Sequence, residues 1–492
     1  MKMYNKKSLI SVFLLSILLM GVSCKKQLDV NQNPNVPTLS QGNVDLVFPA
    51  AVLATVGKVG GDLTILGGLW SQVFTQAALA NQYRYLDSYD VKSTDFNASW
   101  DVLYSSGLKN YKYVIDQAKT SQNWSYYLMG NVMNAYTTEI LVDLYDQIPY
   151  FEALQGTATL QPKFDDGFTI YKDLIARIDT ALTKDFTVST NAVTSTADLV
   201  FGGNVNKWIA FANTLKLKMY LRMVNAQPAL AQSGITSMIN SGAVFLTVDA
   251  SVTNFADILD KDNPFFEQNR RSLNTPDNLR ASTTMVSWLV ANGDPRAIAY
   301  YGSATPLSEN QGDFAGAGYG SVPDFVQSPT DPVIFISAAE SYLLQAEADA
   351  RYMGGAKAQG LYNKGVLAAF TATFTATGNN GASLLAGVYA YPAAGTLEQQ
   401  IEAIVTQKWA SFAHGCHMLE GFFDKNRTGY PRTSAVYSNS SSYVPGQLVV
   451  SKNSVLGAGL MPKRLVFPFD ETSLNSNAPA LVPITTAVWW GK

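Results

Sequence analysis

Residues 125–154, SYYLMGNVMNAYTTEILVDLYDQIPYFEAL, and residues 164–182, FDDGFTIYKDLIARIDTAL, are the most informative segments for the architecture of this chain. The first segment is almost continuously apolar and meets Pro149, so it predicts a long buried helix that ends near Tyr145. The second segment is amphipathic, and Asp165 and Asp166 precede it as candidate N-caps. Two such helices joined by a short connection predict a helical hairpin.

Further helical segments follow the same pattern. Residues 206–223, NKWIAFANTLKLKMYLRM, have an apolar face interrupted by basic residues. In residues 341–370, Ala346, Ala358 and Tyr362 fall at spacings of 12 and 4, which is the small-residue and aromatic pattern of a tetratricopeptide hairpin. Residues 397–415 complete the last pair. The chain is therefore predicted to be all-α, with a tetratricopeptide-like scaffold of about four helix pairs.

Two regions interrupt this helical rhythm, residues 241–333 and residues 428–492. Both are rich in Asn, Gly and Pro, and the first contains a β-type run, AVFLTV, at residues 243–248. We expect long loop-rich insertions that carry a few short strands. The predicted domain is single and covers residues 41–492, with its helical scaffold at 41–240 and 334–427. Irregular insertions on a rigid scaffold are commonly binding surfaces.

The N-terminus predicts export. Lysines precede an apolar run at residues 9–20, which is too short to span a bilayer. Small residues then lead to Cys24, as in the cleavage motif of a bacterial lipoprotein, so residues 1–23 are predicted to be a signal peptide and Cys24 a lipidation site. An ordinary signal peptide with a chance cysteine is the alternative. Residues 24–40 then form a flexible tether rich in Asn and Pro.

Composition narrows the function classes. Charged residues make up 15% of the chain, against about 25% in an average soluble domain, and aromatic residues reach 12%. The formal net charge of −3 provides no basic surface for phosphates. These features favour a binder of neutral molecules and exclude nucleic acid as a predicted partner.

Motifs for catalysis and for metals are sparse. No nucleophile elbow, zinc-protease helix or phosphate-binding loop occurs. His414, Cys416 and His417 could ligate a metal, but a packing motif at a helix end explains them better. Asp143 and Asp146 could serve as a glycosidase pair, although a structural hydrogen bond is the favoured role of Asp143. We predict no catalytic residue, no metal site and no cofactor.

Six segments of the chain together resemble the SusD/RagB family of nutrient-binding outer-membrane lipoproteins of Bacteroidetes. They occur in the order typical of that family and extend over residues 28–477. The segments are DVNQNPNVPT (29–38), DLYDQIPYFEAL (143–154), WIAFANTLKLKMYLRM (208–223), AESYLLQAEADARYMGG (339–355), QKWASFAHGCHMLEGFFDKNRTGYPR (407–432) and RLVFPFDETSLNSN (464–477).

This resemblance implies a non-catalytic lipoprotein of the cell outer membrane, anchored by its lipid and facing the cell exterior. It would bind an oligosaccharide or another nutrient and deliver it, as a lid, to a SusC-like TonB-dependent transporter. The alternatives are a secreted glycan-active hydrolase, a peptide-binding member of the same family, and a repeat scaffold without a small ligand.

The resemblance also implies a ligand pocket where the N-terminal loop, residues 81–90, meets the insertion at residues 241–333. Sugars are bound by aromatic faces together with polar side chains that satisfy their hydroxyl groups. The residues of these two regions that combine both properties are the predicted ligand contacts: Tyr83, Tyr85, Tyr89, Asn269, Arg270, Trp288, Tyr300 and Tyr301.

Overall fold

The helices of the protein form where the apolar stripes of the sequence predict them. The computed structural model describes residues 42–78, 80–188, 193–275, 277–316, 319–374 and 381–492. The predicted signal peptide, the lipidation site at Cys24 and the predicted tether lie outside these residues, so all three stay predictions.

The α-helices of the described residues, with one exception, lie between residues 44 and 428. They are α1 Val44–Val59, α2 Asp62–Trp70, α3 Arg84–Asp87, α4 Asn97–Val102, α5 Lys109–Ser121, α6 Trp124–Tyr145, α7 Gly167–Leu182, α8 Val205–Arg222, α9 Pro228–Asn240, α10 Pro264–Phe266, α11 Thr283–Ala291, α12 Arg296–Tyr301, α13 Ala338–Tyr352, α14 Ala358–Thr373, α15 Ala382–Leu385, α16 Leu397–Ser411, α17 Leu419–Thr428 and α18 Phe469–Leu474. A π-helix, Leu103–Leu108, joins α4 to α5.

Successive helices pack as hairpins. Helix α6 packs against α5, α7 and α8, and α13 packs against α14 and α16. The predicted all-α scaffold of helical hairpins with loop-rich insertions is therefore confirmed. In the α6–α7 hairpin, the first helix ends and the second begins as predicted. Helix α6 ends at Tyr145, and the Asp166 side chain accepts a hydrogen bond from the Thr169 N–H at the start of α7 (2.9 Å).

The tetratricopeptide spacing marks a real contact between α13 and α14. Ala346, Ala358 and Tyr362 are at most 1% exposed and belong to one apolar cluster. Gly365 lies where the two helices come closest, because a Cβ atom built there would meet Leu343 Cγ at 2.6 Å. The small residues Ala346, Ala358 and Gly365 let the two helices approach each other.

Helices α1 and α2 form the most apolar part of the described chain. The segment Val44–Trp70 is the one helical stretch of the described residues long and apolar enough to cross a membrane. It is broken by a turn at Gly60 and Gly61, and Phe48, Val52 and Leu66 are fully buried in the protein core. Its hydropathy is therefore that of a core helix.

The strands are short and form three antiparallel pairs. They are β1 Phe74–Gln76, β2 Gln147–Pro149, β3 Phe164–Asp166, β4 Ala250–Val252, β5 Leu279–Ala281 and β6 Val333–Ile336, and they pair as β1 with β5, β2 with β3, and β4 with β6. The β1–β5 pair joins the region before the N-terminal loop to the insertion at residues 241–333.

The prediction of a strand at residues 243–248 is wrong. The Leu246 N–H donates to Thr214 Oγ1 (2.9 Å), and its carbonyl oxygen accepts from Ser341 Oγ (2.8 Å). The Val244 carbonyl accepts from Asn213 Nδ2 (3.0 Å). Side chains of α8 and α13 thus satisfy the backbone of this run, and no strand partner is needed.

A buried network of ion pairs links the scaffold helices. Lys218 of α8 lies 3.0 Å from Glu139 of α6 and 2.7 Å from Glu420 of α17, and all three side chains are at most 6% exposed. Arg222, one turn further along α8, pairs with Glu420 (2.6 Å) and Asp143 (3.0 Å). These opposite charges compensate for their removal from water.

Candidate functional site

The β1–β5 pair brings the two predicted binding regions together. Thr75 stands opposite Arg280, and the neighbours of Arg280 in β5, Leu279 and Ala281, are fully buried. Because side chains alternate across a strand, Arg280 points away from the core that holds those neighbours. Its side chain keeps 16% exposure.

Asp87 of the N-terminal loop fastens this junction. Its carboxylate accepts hydrogen bonds from Thr75 Oγ1 (2.6 Å), from the Gln76 N–H (2.9 Å) and from Gln311 Nε2. Burial raises the pKa of Asp87 to about 6, although these donors oppose the shift. One carboxylate therefore ties the loop to β1 and to the insertion.

A cavity of about 360 Å³ opens beside this junction, and we name it the loop cavity. It is lined by residues that precede the N-terminal loop and by residues of the insertion: Ala77, Ala80, Thr275, Asp277, Arg280, Glu309 and Gly320. The lining combines one guanidinium group with two carboxyl groups and a hydroxyl group. Such a set can donate to and accept from a ligand rich in hydroxyl groups.

Arg280 is held rigidly in the wall of the loop cavity. Its Nη2 lies 3.0 Å from Asp277 Oδ1, and its Nη1 lies 2.8 Å from Asp324 Oδ1 and donates to the Val322 carbonyl oxygen (2.7 Å). Arg270 also pairs with Asp324, at 3.3 Å. The predicted contact Arg270 thus supports the cavity through a shared carboxylate.

Glu309 places a buried carboxyl group in the wall of the loop cavity. Its side chain is almost fully buried, and Oε2 accepts a hydrogen bond from the Ala78 N–H (3.2 Å). Burial raises the pKa of Glu309 to about 7, and the charges of Asp87 and Asp313 add to the shift, while Arg280 opposes it. At neutral pH this carboxyl group both donates and accepts hydrogen bonds.

Arg84 bridges the two sides of the junction. Its guanidinium group donates to the carbonyl oxygens of Ala78 (2.8 Å) and Ala80 (2.9 Å), and it lies 5.0 Å from the ring centroid of Phe314 in the insertion. This cation–π contact connects the segment that holds Ala78 and Ala80 to the insertion.

Comparison with known proteins establishes the family. A family model, SusD-like, described as starch-binding and associating with the outer membrane, matches residues 66–449. The chain belongs to the SusD-like family. The predicted membership in the SusD/RagB family is thereby confirmed, and the match spans four of the six segments. No curated protein sequence matches the chain significantly.

Solved structures of SusD-like proteins share this fold. A SusD homologue from Bacteroides uniformis is 22% identical with a TM-score of 0.74, covering 91% of this chain and 99% of its own. A chitin-binding SusD homologue from Flavobacterium johnsoniae is 21% identical with a TM-score of 0.70, covering 91% and 96%. A SusD-like protein from Bacteroides thetaiotaomicron is 20% identical with a TM-score of 0.69, covering 91% and 99%.

In this SusD-like chain, four predicted ligand contacts lie in the core. Tyr83, Tyr89, Tyr300 and Tyr301 are all at most 4% exposed. The hydroxyl groups of Tyr300 and Tyr301 donate to the carbonyl oxygens of Ala410 (3.1 Å) and Val73 (2.5 Å) respectively. These rings support the junction, and Tyr300 also lines a separate cavity of about 200 Å³, so their role as ligand contacts stays a prediction.

The other predicted contacts are scattered. Asn269 is fully buried, and Trp288 is half-buried with its ring stacked on Tyr389 (5.2 Å between centroids). Tyr85 is half-buried in the N-terminal loop. Arg270 is the predicted residue linked to the loop cavity, because it pairs with Asp324, which also pairs with Arg280.

Sequence reasoning missed the residues that line the loop cavity, above all Arg280 and Glu309. A usable signal existed for Arg280, since a charged residue between Leu279 and Ala281 follows the alternation of a half-buried strand. Glu309 carries no comparable signal, because its backbone pairs with Ala281 and Thr283 and its side chain accepts from Ala78, which lies 231 positions away.

The residues considered for catalysis and metal binding have structural partners. Asp143 accepts hydrogen bonds from Tyr171 OH (2.5 Å) and from Trp490 Nε1 (2.7 Å), so its predicted structural hydrogen bond is confirmed. Cys416 is buried beside Asn263 (Sγ to Nδ2, 3.4 Å), and His417 packs edge-on against a phenylalanine ring. Within the described ranges, no group of three His, Cys, Asp or Glu side chains is placed to hold a metal ion.

Proposed function

We propose that this SusD-like chain is a non-catalytic lipoprotein that binds a neutral oligosaccharide in the loop cavity. The observation that carries the proposal is the β1–β5 junction, which sets Arg280, Asp277 and Glu309 around one cavity. Fixed charged groups of this kind form strong hydrogen bonds with hydroxyl groups. The family description and the chitin-binding homologue support a glycan as the ligand.

The ligand is tested by calorimetry with oligomers of N-acetylglucosamine and with malto-oligosaccharides. Saturable binding of either series is expected, and Arg280→Gln should weaken it about tenfold or more, because a buried charge-assisted contact is lost. Lys92→Gln, which changes an exposed lysine, is the control and should bind as the wild type does. Binding that survives Arg280→Gln unchanged would place the ligand elsewhere.

We further propose that the chain is anchored to the outer membrane and acts together with a membrane transporter. Lipidation at Cys24 would anchor the chain to the outer membrane on its external face, where it would act as a lid that delivers ligand to a SusC-like TonB-dependent transporter. Affinity capture of the tagged chain from outer membranes should recover an outer-membrane barrel protein. Cys24→Ser should release the chain from the membrane, and protease treatment of intact cells should digest the wild type.

A glycan-active hydrolase is the competing function. The observation that favours it is the presence of two carboxyl groups, those of Asp277 and Glu309, in one cavity, because glycosidases use such a pair. Incubation with both oligosaccharide series, followed by an assay of new reducing ends, separates the two functions. Turnover that is lost in Glu309→Gln would show that the chain is a hydrolase. Binding without turnover would support the proposed binding function.

A further inference from the structure

A second concave site lies on the helical scaffold, and we name it the scaffold groove. It consists of two adjoining cavities of about 420 and 430 Å³, which share Tyr104, Pro149, Ala153 and Leu154. It has no lining residue in common with the loop cavity. The groove runs along the π-helix and α5 on one side and along residues 149–162 on the other, so its length suits an extended ligand.

One part of the lining of the scaffold groove is aliphatic, and the rest is polar or aromatic and carries both acidic and basic side chains. Leu108, Ile115 and Leu154 line it together with Pro149. Tyr104 stands between its two halves, and its hydroxyl group donates to the Pro149 carbonyl oxygen (2.8 Å), which fixes the loop against the helix. An aliphatic surface of this kind suits an apolar side chain of a ligand.

Two buried polar side chains line this groove, and each has an oxygen atom without a protein partner among the described residues. Asn134 and Thr138 lie one turn apart on α6 and line the same cavity, and they are 5% and 1% exposed. Across the described part of the chain, neither Asn134 Oδ1 nor Thr138 Oγ1 has a hydrogen-bond partner. Buried acceptors are normally satisfied, so a ligand with N–H donors would complete them.

Arg177 supplies a positive charge at the same place. Its Nη1 donates to Tyr150 OH (3.0 Å) and its Nε to Asn131 Oδ1 (3.3 Å), both neutral acceptors. The nearby Asp173 accepts instead from Tyr150 OH (2.6 Å). Among the described residues Arg177 forms no direct ion pair; Asp173, which lines the same cavity, is linked to it only through the Tyr150 hydroxyl group, so the guanidinium group is oriented and can accept a carboxylate partner.

We propose that the scaffold groove binds an extended oligopeptide through a free C-terminal carboxylate. The carboxylate pairs with Arg177, as guanidinium groups pair with carboxylates. Backbone N–H groups of the peptide donate to Asn134 and Thr138, and an apolar side chain packs on Leu108 and Ile115. The chain is thus a binder with two separate sites, and this second site does not depend on the ligand of the loop cavity.

The test uses the full chain in detergent and fluorescein-labelled tetrapeptide pools that end in leucine, with either a free carboxylate or an amide. Fluorescence polarisation should show saturable binding of the carboxylate pool, with the amide pool about tenfold weaker or more. Arg177→Gln should abolish this preference. Thr138→Val, which keeps the side-chain shape, should weaken the binding of both pools.

A reciprocal control separates this site from the loop cavity. Arg280→Gln should leave peptide binding unchanged, and Arg177→Gln should leave oligosaccharide binding unchanged, with thermal melting to show that each variant is folded. Equal binding of the two pools, no saturable binding at millimolar peptide, or displacement of the peptide by a uronic-acid oligosaccharide at lower concentration than by unlabelled peptide would overturn the proposal.

Discussion

Glu309 should make oligosaccharide binding depend on pH. Its pKa is raised to about 7 by burial, and a ligand that covers the loop cavity would disfavour the ionised form further. The bound state then holds more protons than the free state, so affinity should fall as pH rises from about 6 to about 8. Calorimetry across this range checks the slope. Glu309→Gln should give a flat profile, and a flat wild-type profile would contradict the prediction.

His417 should make the fold sensitive to acid. Burial lowers its pKa to about 3, below the ordinary value of 6.5, so between these values the folded state binds fewer protons than the unfolded state. The free energy of unfolding therefore falls as pH decreases from 6.5 towards 3. Between about pH 6.5 and 4.5 this one group accounts for about 2 to 3 kcal/mol.

Urea unfolding at these two pH values measures the effect. His417→Leu should reduce the acid-induced loss of stability by that amount. His414→Leu is the comparison. Its effect should be smaller, because Asp249 and Asp331 oppose the lowering of the His414 pKa. An equal acid loss in the wild type and in His417→Leu would show that His417 does not carry the effect.

Individual ligand contacts were the hardest feature to predict from the sequence. The choice of Tyr300 and Tyr301 rested on aromatic residues outside regular helical spacing. Whether such a ring is buried depends on distant partners, and the acceptors of these hydroxyl groups lie 110 and 228 positions away. Both rings are buried in the described structure, and their contact with a ligand stays a prediction.

At the scale of elements, the packing of α13 on α14 gives a matched pair of glycine substitutions. Gly365 lies at the helix contact, where a Cβ atom would meet Leu343 Cγ at 2.6 Å and the Ala339 carbonyl oxygen at 3.1 Å. Gly360, in the same helix, has no atom within 4 Å of such a Cβ. Gly365→Ala should therefore destabilise the protein by about 1 to 3 kcal/mol through overpacking.

Gly360→Ala should instead stabilise the protein by up to about 1 kcal/mol, because alanine has the higher helix propensity. Chemical denaturation of the two variants beside the wild type reads out both signs in one experiment. A shift of the same sign for both variants would mean that the close approach of the helices does not determine the cost at Gly365.

The elements themselves were predictable where the sequence signal is local. The end of α6 at Tyr145 and the N-cap Asp166 follow from helix-stop and capping patterns that need no tertiary information. The run at residues 243–248 shows the opposite case. Its β-type composition is real, but Thr214 and Ser341 of two scaffold helices bind its backbone, and no local pattern reveals partners so far along the chain.

At the scale of the whole molecule, the recognisable segments coincide with the buried ion-pair network. Asp143, Lys218, Glu347 and Glu420 come from four of the six segments that resemble the family, and each forms a buried ion pair. Buried charges tolerate few replacements, because removal of one partner leaves the other uncompensated. This requirement is why these segments predict the fold, whereas the ligand contacts predicted in the loops have no comparable signal and stay predictions.

The buried ion-pair network should make the stability of the fold depend on Lys218. Lys218→Met should lower the free energy of unfolding by about 3 to 5 kcal/mol, because Glu420 then keeps only one of its two cations. Glu139→Gln should cost less, since burial raises the pKa of Glu139 and disfavours its ionised form, while Lys218 keeps Glu420 as its second partner. Lys92→Met removes an exposed ion pair and should stay within about 0.5 kcal/mol of the wild type. Urea titration ranks the three variants, and a Lys218→Met chain as stable as Lys92→Met would show that the network does not hold the scaffold helices together.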